Sequence, residues 1–262
     1  MPGGSAPDLA RRGGEEMPDW VVVLIDVEVE AVAGLRVGGP AGGNLGTDAP
    51  VLRDRRGPLI PGSSLKGVLR SAAERVLHGL DGAPGLPAAW AACDIISAPC
   101  AANQKSDEPV DPEQLCRVCR LFGNHWLGAR LSVGDLAAAG PAGAVTVVRD
   151  GVAIDRNELK AAGRLKYDYE VVVPGVRFAG RLRVDDPEPG DLGLLMSLLD
   201  LLDLGVITVG GGASRGLGRL RLTGPPTAQR LRASTWTLGG SLEPVDLDSE
   251  RETLRVALQG EA

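Results

Sequence analysis

Aromatic residues are scarce in this chain. Phe, Trp and Tyr together make up 3% of it, with only two tyrosines. That scarcity argues against a base-stacking platform as the main way of binding a nucleic acid. Histidine is equally thin, at two residues, His78 and His125, and neither has a partner at a readable spacing for an acid–base pair. No Ser/His/Asp set and no Walker loop is evident. The glycine-rich stretch Gly210–Gly218 is not a dinucleotide fingerprint, because no acidic partner strand follows it in a βαβ unit. The apolar run Trp20–Ile25 is too short for a membrane span or a signal core. A cytoplasmic location is therefore expected, with no membrane partner. Residues 1–18, rich in Gly, Pro and charge, are expected to form a disordered leader.

A positive balance is missing too. The net charge is −6, so bulk electrostatics do not advertise a nucleic-acid binder. Local charge differs. Arg53, Arg55 and Arg56 cluster ahead of a helix, Arg177, Arg181 and Arg183 alternate along one segment, and Arg215 and Arg219 sit in the glycine-rich loop. Arginine greatly outnumbers lysine, which suits bidentate phosphate contacts, although a GC-rich genome gives the same bias.

What is present starts with Pro61-Gly-Ser-Ser-Leu-Lys66. Pro61-Gly62 breaks the chain, Ser63 is expected to cap a helix over about Ser64–His78, and Leu65, Val68, Leu69, Ala72 and Val76 recur as its apolar face. Lys66 falls in the first turn, where the helix dipole disfavours a cation. An anion bound beside it would explain the placement, with Ser63, Ser64 and Gly62 allowing a phosphate to approach. A solvated lysine on an ordinary helix is the plainer alternative.

All four cysteines, Cys93, Cys100, Cys116 and Cys119, fall in one stretch rich in Pro, Gly and charge. In a cytosolic chain such a set points to structural zinc, four thiolates closing the tetrahedron, rather than to disulfides. Cys116-x-x-Cys119 is the stronger half, and His125 is an alternative ligand. Four free cysteines remain the plainer reading.

Periodicity gives a strand at Trp20–Glu30 and a pair of strands within 151–184, the second alternating Phe178, Leu182 and Val184 against arginines. A leucine-rich helix follows over Asp191–Leu204, ended by Gly205, then strands at Val206–Val209 and Leu220–Leu222 and a last one near Thr235–Leu238. Strand, helix, two strands, helix, strand is the α+β, ferredoxin-like order that RNA-recognition domains share.

Five motifs then stand in one order: Pro58-Leu-Ile-Pro-Gly-Ser-Ser-Leu-Lys-Gly67, Leu121-Phe-Gly123, Val152-Ala-Ile-Asp-Arg156, Tyr169–Phe178 and Gly210–Gly218. Together they resemble the RAMP superfamily of CRISPR systems, and most of all the backbone subunits of type III effector complexes in a zinc-bearing form. The resemblance implies a RAMP domain over 19–222, with a cysteine-rich zinc insert at 79–125, a thumb β-hairpin at 151–175 and a C-terminal extension at 223–262. It implies crRNA guide, complementary target RNA, further copies or homologous backbone subunits, and other effector subunits as partners. It marks Ser63, Ser64, Lys66, Gly211, Gly212, Ser214 and Arg215 as RNA contacts, with Arg53, Arg70, Arg156 and Arg177 beside them. Cleaving members carry a loop aspartate shortly before the Pro-Gly-Ser-Ser-Leu-Lys motif, and here that pattern falls on Asp48. There it would cut target RNA with Mg²⁺ or another divalent metal. A turn aspartate before Ala49-Pro50 is the local alternative.

Overall fold

The structure, a computed structural model, describes residues 20–39, 47–84, 86–102, 110–139, 146–155, 160–237 and 239–259. In chain order the elements are β1 (Val21–Ala31), β2 (Arg53–Asp54), β3 (Gly57–Ile60), α1 (Gly62–Leu80), α2 (Arg117–Phe122), β4 (Leu131–Val133), β5 (Leu136–Ala139), β6 (Thr146–Asp155), β7 (Lys160–Val172), β8 (Arg177–Asp185), α3 (Asp191–Asp203), β9 (Leu220–Leu222), β10 (Thr227–Arg232), α4 (Ala233–Thr237), β11 (Glu243–Pro244) and α5 (Leu247–Gln259).

Strand alternation sets the two faces of the main sheet. β1 buries Ile25, Val27 and Val29 and turns Asp26, Glu28 and Glu30 outward. Its antiparallel neighbour β8 does the same, with Leu182 opposite Ile25 and Phe178 opposite Val29. β10 and β9 pair with the other edge of β1, and β4 and β5 both pair with β8. Numbered by chain position, the core strands lie in the order four, one, three, two, with α1 between the first and second and α3 between the third and fourth. That is the ferredoxin-like palm.

Leu65, Leu69, Ala73 and Leu77 of α1 and Leu195, Leu198 and Leu202 of α3 join the buried face of the sheet in one core. Each such leucine contributes on the order of 2 kcal/mol by leaving water. Leu69→Ala would cost about 2–5 kcal/mol.

Several expectations are corrected. The apolar stripe of α1 uses Leu77, while Val76 is exposed. Ser63 does not cap the helix: Pro61 holds the cap position, and Asp135 Oδ1 accepts from Gly62 N at 2.8 Å from across the β4–β5 turn. Gly62 is required there, because a Cβ would overlap the Val133 carbonyl. The strand that partners β8 between the helices is the short β4–β5 pair, not the segment after 151. Strands β6 and β7 instead pair with each other in a separate two-stranded sheet. Val206–Val209 is a loop whose Ile207 and Val209 pack into the core, and Ala233–Thr237 is a helical turn rather than a strand. Residues 223–259 extend the palm: β10 lengthens the sheet and α5 lies against α3, with Leu254 packed over Gly193.

Candidate nucleic-acid interface and metal centre

The Asp48 loop is fastened to the foot of the β6–β7 hairpin. Asp48 N donates to Asp168 Oδ1 at 2.7 Å, and Asp168 N donates back to Asp48 Oδ2 at 3.1 Å. Two residues along β7, Glu170 N donates to Ala49 O at 3.0 Å, and Glu170 itself is 1% exposed. Its carboxylate accepts from Val51 N at 3.0 Å and pairs with Arg53, whose guanidinium also donates to Thr146 Oγ1 at 3.2 Å. Burying Glu170 demands these partners, because an unpaired carboxylate in the interior costs several kcal/mol. Arg53 is therefore held by protein groups at the hairpin foot. Asp168 and Glu170 were not singled out from sequence; their alternation with tyrosines in Lys166-Tyr-Asp-Tyr-Glu170 was the available signal.

At the start of α1 the expected phosphate site is partly filled. Asp135 already supplies the anion at Gly62 N, and Ser64 N and Leu65 N bond to Pro61 O. The hydroxyls of Ser63 and Ser64 have no partner among the described residues, and neither has the Lys66 ammonium. Burial, and then the charge of Arg70 one turn on, lower the Lys66 pKa from its ordinary value. A cation held uncomfortably next to another cation gains from an incoming phosphate.

Arg70 is committed internally. It donates to Glu74 at 2.9 Å, to Gly123 O at 2.6 Å and to Cys119 Sγ at 3.8 Å, and so ties α1 to the Leu121-Phe-Gly123 motif. Arg177 lies on the outward sheet face 3.7 Å from Glu28 and 3.8 Å from Glu30, and Arg181 clasps Asp26 with two bonds. The acidic ladder of β1 thus answers the arginine ladder of β8. Arg156 lies outside the described residues. Gly211 N donates to Arg36 O at 2.8 Å, which docks the glycine-rich loop on the segment after β1. Ser214 is exposed beside Gly212 in that loop, and Arg215 reaches the Tyr167 hydroxyl at 2.6 Å.

A profile of the RAMP superfamily matches residues 28–221, about three quarters of the chain. The chain belongs to the RAMP superfamily. No curated protein matches it. Membership makes this RAMP an RNA-binding CRISPR-associated subunit in general terms, with crRNA and complex subunits as its partners. No described helix is long and apolar enough to cross a membrane.

The cysteine insert of this RAMP gathers its four thiols. The Sγ atoms of Cys93, Cys100, Cys116 and Cys119 all lie within 4.8 Å of one another. Thiolates around a tetrahedral zinc sit about 3.8 Å apart, so the donor set fits such an ion. Its electrostatics agree. The hydrogen bond from Cys119 pulls Cys116 down to about 4, whereas burial pushes Cys100 up to about 11. The hydrogen bond to Cys116 and burial push Cys119 upward. Cys116 ionises at the expense of Cys100 and Cys119, an opposition that a cation among them would relieve. His125 is exposed and stands outside the cluster.

Two arginines bind the cluster to the palm. Arg70 does so from α1, as described. Arg117, between Cys116 and Cys119, is buried over the Trp90 ring at 4.5 Å and meets Glu188 and the Asp191 carboxylate, the latter at 2.8 Å, at the start of α3. Both helices of the palm are thereby anchored to the insert.

Proposed function

We propose that this RAMP is a guide-RNA-binding backbone subunit of a type III CRISPR ribonucleoprotein that cleaves complementary target RNA through Asp48. In this reading it polymerises along crRNA with further copies of itself or homologous subunits. Residues 19–222 are the RAMP domain, 79–125 a zinc-stabilised insert, 151–175 the thumb and 223–262 an extension. The observation that carries the reading is the clasp of Asp48 to the hairpin foot. In this reading the hairpin is the thumb that turns a base out of the strand, and a carboxylate fixed at its foot stands beside the displaced nucleotide.

The chemistry follows from the free oxygen. Asp48 Oδ2 is used by Asp168 N, and Oδ1 has no partner among the described residues. Oδ1 would accept the proton of a ribose 2′-hydroxyl. The 2′-oxygen then attacks the adjacent phosphorus, the bond to the 5′-oxygen breaks, and water protonates the leaving oxygen. Products are a 2′,3′-cyclic phosphate and a 5′-hydroxyl. Asp48 and Asp168 would be the carboxylates to hold a Mg²⁺, which would supply charge neutralisation on the phosphate.

The second reading is a non-catalytic crRNA-binding scaffold, with a partner doing the cutting. The same clasp favours it in one respect, since Asp48 already has a structural use. Cleavage of a guide-complementary RNA by the assembled complex with Mg²⁺ decides between them. Regularly spaced products lost in Asp48→Asn, with target binding retained, support catalysis; unchanged products make the subunit a scaffold.

A further inference from the structure

The β6–β7 hairpin has two chemically different faces. Antiparallel register places Arg149 opposite Tyr169 and Gly151 opposite Tyr167 on one face, and Asp150 opposite Asp168 on the other. The carboxylates therefore look toward the Asp48 loop and the tyrosines away from it. These are the only two tyrosines of the chain, and their rings lie 5.9 Å apart.

We propose that Tyr167 and Tyr169, with Arg36, Arg149 and Arg215, form a stacking subsite for one unpaired RNA nucleotide; this rests on the RNA-binding reading above. Tyr167 is laid flat. Its Cζ, Cε1 and Cε2 lie no farther than 2.8 Å from the point where a Cβ on Gly151 would stand. Three ring atoms so nearly equidistant mean that the ring's face, not its edge, covers Gly151. The ring stays only half-buried, which leaves part of it within reach of a ligand. Arg215 fixes the ring by donating to its hydroxyl at 2.6 Å.

The cations complete the site. Arg36 lies over the Tyr169 ring at 5.5 Å, and its Nε is buried with no hydrogen-bond partner among the described residues. Arg149 is exposed and has no carboxylate partner among them. Three guanidiniums that have no carboxylate among the described residues, gathered around two aromatic rings, suit an anion joined to a flat apolar group. A nucleotide is that combination: its base stacks on a ring and its phosphate takes the guanidinium N–H groups. The base must be free of a duplex partner's stack to reach the ring.

An aromatic ring over a strand glycine also stabilises a hairpin, so the test must separate binding from folding. The full chain would be bound to single-stranded oligouridine carrying 5-iodouridine, irradiated, and the cross-linked peptides mapped. Cross-links at Tyr167 or Tyr169 are expected. Tyr167→Leu should weaken binding about tenfold and Tyr167→Phe by less than about twofold, from the usual value of one stacked base. Melting temperatures of both variants control for folding. Cross-links elsewhere, or Tyr167→Leu and Tyr169→Leu proteins that bind as wild type, overturn the subsite. If binding persists and responds to Lys66→Glu, only the subsite falls. If no RNA binds at all, the RNA-binding reading falls with it.

Discussion

Asp48 and Asp168 hold each other by their backbones, each N–H donating to the other's carboxylate across 120 residues of chain. The loop that carries the proposed base and the hairpin that would part the target are thus one mechanical unit. Asp48→Asn keeps an acceptor for Asp168 N and removes the base. Target cleavage should fall at least about 100-fold, with target affinity unchanged. Asp168→Asn also preserves the clasp but removes a charge. It should raise the Mg²⁺ needed for half-maximal cleavage more than it lowers the rate at saturating Mg²⁺. A Mg²⁺ titration of both variants checks this, and equal losses in rate at every Mg²⁺ concentration would contradict the division of roles.

The cysteine cluster should hold one zinc ion per chain by elemental analysis. Cys119→Ser removes its most buried ligand. Because structural zinc binding is folding free energy, the melting temperature should drop on the order of 10 °C, and a strong chelator should do the same to the wild type. Metal-free protein that melts like the untreated sample would exclude a structural metal.

Lys66 and Arg70 sit one turn apart on α1 but should behave differently. Lys66 has no partner among the described residues, so Lys66→Ala should lower the salt dependence of RNA binding by about one phosphate contact. Arg70 is occupied by Glu74, Gly123 and Cys119, so Arg70→Met should lower the melting temperature and leave the salt slope alone. Affinity measured at several salt concentrations, beside thermal melts, separates the two. A reduced slope for Arg70→Met would return it to the RNA surface.

The palm was legible where one physical rule acted alone. β1 and β8 alternate because one face is buried, and α1 and α3 show leucines at helical spacing. The β4–β5 pair was missed because Leu131–Ala139 is short, turns at Gly134-Asp135 and carries small alanines, so no alternation builds up. Periodicity alone put the segment after 151 in the main sheet, whereas the family resemblance set a thumb hairpin at 151–175; the exposure of Val147, Val148 and Val152, invisible in sequence, is what separates β6 from the sheet. Asp48 stood out only through family resemblance. Its partner lies far along the chain, and no spacing rule reports such a contact. The meeting of the four cysteines was expected from thiol chemistry, while the choice between them and His125 was settled only by the fold, which leaves His125 outside the cluster.

Asp191 gives the protein a pH dependence of known sign. Burial raises its pKa from 3.8 to about 6, against the pull of Arg117. The folded state therefore holds a proton here that the unfolded chain has released. Its stabilising contribution is full below about pH 4 and is lost as pH rises through about 6. Asp191→Asn stays neutral throughout. Relative to wild type, it should gain stability between about pH 4 and pH 6 and hold that gain above, by roughly 3 kcal/mol for a two-unit shift. Taking the difference between the two proteins cancels the titration of groups that do not touch Asp191. Denaturant melts at pH 4, 5, 6 and 7 measure it. A stability difference that stays flat with pH would mean that Arg117 compensates the buried charge fully, and that this ion pair is already ionised throughout the acid range.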